Sequence, residues 1–144
     1  MRIVAQRSLE ASCEVDGKIT GKIDKGLVLL VGFTQTDTKE VVDYMVRKVL
    51  NLRIFDDENG VMNKSIDKEN AQILSISQFT LYGDPIKGNR PSYIKALNGE
   101  EAIKLYDYFN EQLSKEIKVE TGIFGAEMKI SLVNDGPITI IIEK

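Results

Sequence analysis

Apolar positions along the chain fall into two periods, and the switches between them mark out the elements. Met1 to Gln6 reads as a first strand, and Ser12 to Ile19 alternates around Asp16-Gly17, a pair that tolerates the positive φ of a tight hairpin turn. Gly26 to Phe33 is a continuous apolar run bounded by turn residues, the pattern of a buried strand. Asp37-Thr38-Lys39-Glu40 offers a helix start with Asp37 as N-cap, and Val41, Val42, Met45, Val46, Val49 and Leu50 follow at helical spacing. Arg53 to Phe55 suits a short strand, Asp56 to Gly60 a solvated turn, and Ala71 to Leu81 a longer strand. Tyr82 to Pro91 is a loop. Asn98, with Glu101 three residues on, caps a second helix whose buried face is Ala102, Leu105, Tyr106, Phe109, Leu113 and Ile117. Glu127 to Val133 and Ile138 to Glu143 read as two strands around the turn Asn134-Asp135-Gly136-Pro137. Strands cluster at both ends rather than alternating with helices. The expected fold is therefore α+β: one domain over residues 1–144, a curved, largely antiparallel, barrel-like sheet with two main helices on one side.

Composition changes this picture mainly by exclusion. There is no histidine, which removes Ser-His-Asp and Cys-His catalysis and histidine-ligated zinc. The single cysteine, Cys13, permits no internal disulfide, supplies no thiolate metal site and reads as a small buried side chain. No metal and no cofactor is expected. The DDENG turn is acidic but lacks the spacing of a calcium loop. No apolar run is long enough to span a membrane and the first residues turn polar too quickly for a signal peptide, so a cytoplasmic chain is expected. The formal net charge of −3 attracts no polyanion globally, so any RNA contact needs a local basic patch.

Three segments carry more polar chemistry than their positions require. Ser77-Gln78-Phe79-Thr80-Leu81 ends an apolar strand with hydroxyls, an amide and backbone N–H groups. It is either a strand with a wet face or a substrate-facing strand end. Asn134 to Thr139 is a turn or a rigid element aimed at a ligand. Only roughly 5–6% of X-Pro bonds in folded proteins are cis, so residue frequencies alone favour a trans Gly136-Pro137 bond. Lys87 to Lys95 gathers three cations around a glycine, as a solvated loop or a phosphate contact.

Taken together, SQFTL, NRPSY and LVNDGPIT, with the opening IVAQR, GKIDKGLVLLVG, RIFDDENGVMN, LYDYF and TGIFGAEM, all in the expected order, resemble the D-aminoacyl-tRNA deacylases over almost the whole chain. Tyr93 departs from that pattern, where phenylalanine is expected, as does the Ile-Ile-Glu-Lys ending. The resemblance implies hydrolysis of the ester joining a D-amino acid to the terminal ribose of tRNA, and of glycyl esters mischarged on tRNA(Ala). It implies a homodimer with the site at its interface, and a cis Gly136-Pro137 that enters the partner's site and rejects L substrates. By the same resemblance Ser77, Gln78, Phe79 and Thr80 are the catalytic segment. Backbone N–H groups around Gln78, Phe79 and Thr80 would stabilise the oxyanion, with the substrate 2′-hydroxyl assisting and Thr80 in a positioning role. Phe124 and Met128 would sit by the 3′-terminal adenine, and Arg7 would steady the partner's Gly-Pro element. Lys87, Arg90 and Lys95 are candidates for phosphates of the acceptor end. Two other readings remain open on the residues: a non-catalytic RNA-binding module, and a small-molecule hydrolase or structural dimer.

Overall fold

A computed structural model describes residues 1–144, and its organising element is the first strand, β1 (Arg2–Val15). Asp16 (φ 49°) and Gly17 (φ 76°) turn the chain into β2 (Lys18–Ile23), and β3 (Gly26–Gly32) follows. β2 pairs with residues 11–15 of β1 and β3 with residues 2–8, both antiparallel, so the two strands run end to end along one edge of β1. β8 (Lys129–Glu143) takes the other edge along nearly its whole length. β6 (Gln72–Ser77) joins β3 in parallel and β7 (Lys118–Thr121) joins β6 in parallel. β7 comes back to β2 so closely that a Cβ on Gly21 would lie 2.6 Å from the Thr121 carbonyl oxygen. The sheet is thus mixed and nearly closed as a barrel. A separate hairpin of β4 (Phe55–Asp56) and β5 (Met62–Lys64) carries the DDENG turn.

β1 serves two cores because its alternation breaks once. Ile3 and Ala5 pack under the helices α1 (Lys39–Asn51) and α2 (Gly99–Ser114), with Leu27, Leu29, Ile73 and Phe109. Ala11, Cys13 and Val15 instead join Ile23, Val28, Leu74 and Ile76 in a second cluster inside the curl. Between them Arg7 and Ser8 are both buried, Leu9 and Glu10 both exposed, and three steps of β1 face two of β8. One extra residue in a strand moves every later side chain to the opposite face. Cys13 is buried and unpaired, as its small size suggests.

Three expectations change in detail. Asp37 does not cap α1. Thr38 takes the N-cap position, while Asp37 accepts from the buried Met1 amino group and from the Thr34 N–H. The strand through Leu81 stops at Ser77 and becomes a 3-10 turn over Phe79–Tyr82. The hairpin expected at residues 134–137 is absent, since 129–143 form one strand. Its two halves both pair with β1, whose length lets one partner strand run straight past the turn residues. Gln6 faces Thr139 and Ser8 faces Asn134, so two steps of β1 span five of β8, and Asp135-Gly136-Pro137 bulges out of the ladder. Asn98 caps α2 as its sequence predicts, accepting from the Glu101 N–H at 3.1 Å.

Candidate active site

The site forms where β6 ends. The Gln78 N–H makes the last bond to β3, donating to the Val31 carbonyl at 2.7 Å. The chain then tightens, with Leu81 N–H donating to the Gln78 carbonyl at 3.3 Å and Gly83 N–H to the Thr80 carbonyl at 2.9 Å. In such a turn the first N–H groups precede any intrahelical acceptor. Those of Phe79 and Thr80 are therefore the open donors, whereas that of Gln78 is spent on the sheet. The Gln78 side-chain amide donates to the Thr80 hydroxyl, holding it as an acceptor.

Beside this turn lies a cavity of about 610 Å³. Ser77, Gln78 and Phe79 line it from the end of β6, and Phe124 and Met128 from the segment between β7 and β8. Thr80 is exposed on the turn, outside the lining. The start of α2 closes a third side through Asn98, Gly99 and Ala102, a contribution that the sequence reading missed. Its one visible signal was the Asn98 cap, which fixes where the helix begins but not what it faces. Tyr93 also lines the cavity, its ring edge-on to Phe79 at 5.1 Å. No Asp, Glu, Lys, Arg or Cys lines it. Tyr82, beneath the turn, has its hydroxyl pushed up to about 12, chiefly by burial, and so stays neutral at any ordinary pH. No group of three or more His, Cys, Asp or Glu residues is arranged so that it could hold a metal ion. What the cavity can offer a reacting ester is mainly oriented dipoles, with no carboxylate, amine, guanidinium or thiol among its lining groups.

Gly136 and Pro137 are exposed and do not line this cavity, although Phe124 and Met128 do. The bond between them is cis, where residue frequencies alone favour trans. The bulge that carries them is tied down within the chain. Asn134 Oδ1 accepts from the Ile138 N–H at 3.1 Å, and Gly136 at φ 126° has Ile138 where a Cβ would go. Arg7, buried at 8% exposure, bonds its own chain's bulge. Its Nε lies 3.1 Å from the Asp135 carboxylate and 3.3 Å from the Asp135 carbonyl, and its Nη1 donates to the Ile54 carbonyl at 2.9 Å, with Asp56 at 3.4 Å. Arg7 thus contacts the bulge that carries Gly136-Pro137 in its own chain, through Asp135. Lys87 and Arg90 stand exposed on the loop that the Asp84–Ser92 bridge pinches shut. Lys95 is paired with Asp84 at 3.0 Å.

A family model described as D-Tyr-tRNA(Tyr) deacylase matches residues 4–143. The chain belongs to the D-Tyr-tRNA(Tyr) deacylase family. A protein of Bacillus cytotoxicus named D-aminoacyl-tRNA deacylase is 57% identical over 99% of both chains, and one of Bacillus cereus with the same name is 55% identical over the same share. A solved structure described as a c-Myc DNA Unwinding Element Binding Protein superposes with a TM-score of 0.93 at 40% identity, covering 100% of this chain and 99% of that one. Another, of a probable eukaryotic D-amino acid tRNA deacylase, has a TM-score of 0.83 over 98% and 97%, and at 18% identity it speaks for the fold alone.

Within this deacylase-family fold, the Arg7 anchor is directly testable. Replacing it with methionine keeps the aliphatic stem but leaves Asp56, Asp135 and the Ile54 carbonyl without their cation. Because both carboxylates are partly solvated, the expected loss is about 2 kcal/mol, below the ~3–5 kcal/mol of a fully buried pair. Denaturant unfolding of Arg7→Met measures it. Faster amide exchange at Ile138 should accompany the loss, and unchanged stability with unchanged exchange would contradict the anchor.

Proposed function

We propose that this chain hydrolyses the ester between a D-amino acid and the 3′-terminal adenosine of tRNA, releasing free D-amino acid and tRNA in the cytoplasm. The observation that carries the reading is the cavity itself: largely apolar walls with no carboxylate, amine, guanidinium or thiol, beside a turn that leaves the Phe79 and Thr80 backbone N–H groups open. An aminoacyl ester suits such a site. It is already activated, and its neighbouring 2′-hydroxyl can take part in moving the proton of the attacking water. The protein then has to orient the ester and stabilise the oxyanion, which preorganised N–H groups do without titrating. Phe124 and Met128 offer apolar faces to the adenine, and Ser77 and Gln78 offer polar atoms to the ester and ribose. Lys87 and Arg90 are free for phosphates of the acceptor end, while Lys95 is engaged with Asp84. The names of the 55–57% identical relatives support the same substrate. No helix is long and apolar enough to cross a membrane.

The working unit in this reading is a homodimer. β8 pairs only with β1, leaving a long free edge on which Val133 (48%) and Ile141 (67%) are exposed. Free strand edges are surfaces that proteins normally cover. The braced Gly136-Pro137 bulge lies outside its own chain's cavity, so it is available to enter the cavity of a second copy. There it acts as a fixed obstacle where an L side chain would project. Exclusion by a rigid clash separates enantiomers better than attraction, because an apolar side chain finds alternative places to sit. Glycine has nothing to exclude, so glycyl esters, including those mischarged on tRNA(Ala), are cleaved as well. A non-catalytic nucleic-acid-binding role is the second reading, and the name of the 40% identical neighbour is what favours it.

Purified protein is expected to deacylate D-tyrosyl-tRNA and glycyl-tRNA while leaving L-tyrosyl-tRNA intact. Binding without turnover would support the second reading, and efficient cleavage of the L ester would defeat the exclusion mechanism. The Thr80→Ala variant is expected to stay active. Its rate should fall by less than the ~10²–10³ that loss of an oxyanion donor costs, because the Thr80 N–H survives the substitution. An acyl-threonine ester trapped on the wild-type chain would overturn that assignment.

A further inference from the structure

The two walls of the cavity part at a single carbonyl. Ser75 pairs with Thr121 on the last rung of the β6–β7 ladder. Beyond it β6 continues to Ser77 and Gln78, while the chain after β7 swings away at Gly122 toward Phe124 and Met128. The Ser75 carbonyl accepts a long bond, 3.4 Å, from the Gly122 N–H and a better one, 2.8 Å, from the Tyr106 hydroxyl. Tyr106 is the only side chain bonded to that carbonyl. Its ring meanwhile packs against the Phe124 ring at 5.8 Å. One residue on α2 therefore touches both arms of the fork, one turn below Ala102 of the lining, and is itself buried behind the cavity at 3% exposure.

The fork has no slack to compensate. A Cβ on Gly122 would meet Met128 Sδ at 2.4 Å and Cys13 Sγ at 3.0 Å, so the departing arm is already in contact with the far wall and with β1. Burial pushes the pKa of the Tyr106 hydroxyl up, so it remains a neutral donor to the Ser75 carbonyl. A tyrosine on an otherwise apolar helix face needs a polar partner for its tip. Here the partner is the one backbone atom from which the ester-facing wall and the adenine-facing wall diverge.

We infer that Tyr106 is a positioning residue for ester hydrolysis: by bonding the Ser75 carbonyl and bracing Phe124, it sets the spacing between the Phe79–Thr80 donors and the wall that seats the adenosine. This rests on the hydrolytic reading of the cavity. Misplacement of reacting groups by about 1 Å from a remote change can lower a rate about 10²-fold, with little effect on how tightly the substrate is held.

The test is Tyr106→Phe, which keeps the ring on Phe124 and removes only the hydroxyl. Single-turnover deacylation of D-tyrosyl-tRNA is compared with binding of a non-hydrolysable 3′-amide of D-tyrosyl-adenosine. The expected result is a rate lower by about 10- to 100-fold with analogue affinity within about 3-fold of wild type. Leu113→Val, a cavity-forming change on the same helix far from the fork, controls for general destabilisation and should leave the rate unchanged. Should Tyr106→Phe not fold, Phe124→Leu, which removes the ring that Tyr106 braces, should show a fall in rate that exceeds any loss of analogue affinity. An unchanged rate in Tyr106→Phe, or an equal fall in Leu113→Val, overturns the assignment while leaving the hydrolytic reading intact. A wild-type chain inert toward D-tyrosyl-tRNA overturns both.

Discussion

The bond from the Gln78 N–H to the Val31 carbonyl is the point at which β6 stops being a strand. Up to there the chain's polar backbone is satisfied by β3 on one side and β7 on the other. One residue later it closes onto itself in a 3-10 turn, and two N–H groups are left over at the rim of an apolar cavity. Unpaired donors beside a dry wall are costly unless something fills them. The fold tolerates them because the rest of the turn is fastened: Tyr82 is buried under it, and the Arg2 guanidinium lies 4.9 Å over the Tyr82 ring. The donors are thus fixed in direction before any ligand arrives, which is what electrostatic stabilisation of a developing charge requires.

A second fixed element depends on the same first strand. By changing faces between Ser8 and Ala11, β1 anchors the helical core with one half and the curled core with the other. At that change Arg7 is turned inward, and β8 has to bulge opposite it. Arg7 fills the space behind the bulge and neutralises Asp135. The Gly-Pro element is therefore set by the irregularity of β1 rather than by a free turn. Cavity and bulge are held in place by different parts of one chain, and only in the proposed homodimer would the bulge of one copy meet the cavity of another.

Much of this was legible in the residues. The Asp16-Gly17 hairpin, the buried run of β3 and the Asn98 cap follow from local chemistry that no distant contact opposes. The missing histidine excluded the commonest hydrolytic machinery, and no carboxylate, lysine or cysteine lines the cavity in its place. What could not be read locally depended on long-range partners. Asp37 was drawn from its capping role by an amino group 36 residues away. Asn134 to Pro137 has the composition of a hairpin turn, but a 14-residue β1 made one continuous partner strand possible. Arg7 faces the Gly-Pro element, yet only the register of β1 against β8 shows that it does so within its own chain. Tyr106 looked like one more member of an apolar stripe, and nothing in the spacing tells that its tip meets the Ser75 carbonyl.

The central claim is that one copy's cavity works with another copy's bulge, and mixed dimers test it most directly. Gly99→Trp should block the cavity, since a Cβ there meets only the Phe124 ring, at 4.0 Å. Gly136→Val should disable the bulge, where Ile138 already lies 2.7 Å from a Cβ position. Each homodimer is expected to lose chirally selective deacylation of D-tyrosyl-tRNA. A heterodimer of the two, purified through different tags, has one site with an intact cavity and an intact bulge. It should recover about half the wild-type rate, as two-fold symmetry requires. A heterodimer as inactive as both parents, or a wild-type monomer fully active in sedimentation-matched assays, would contradict the account.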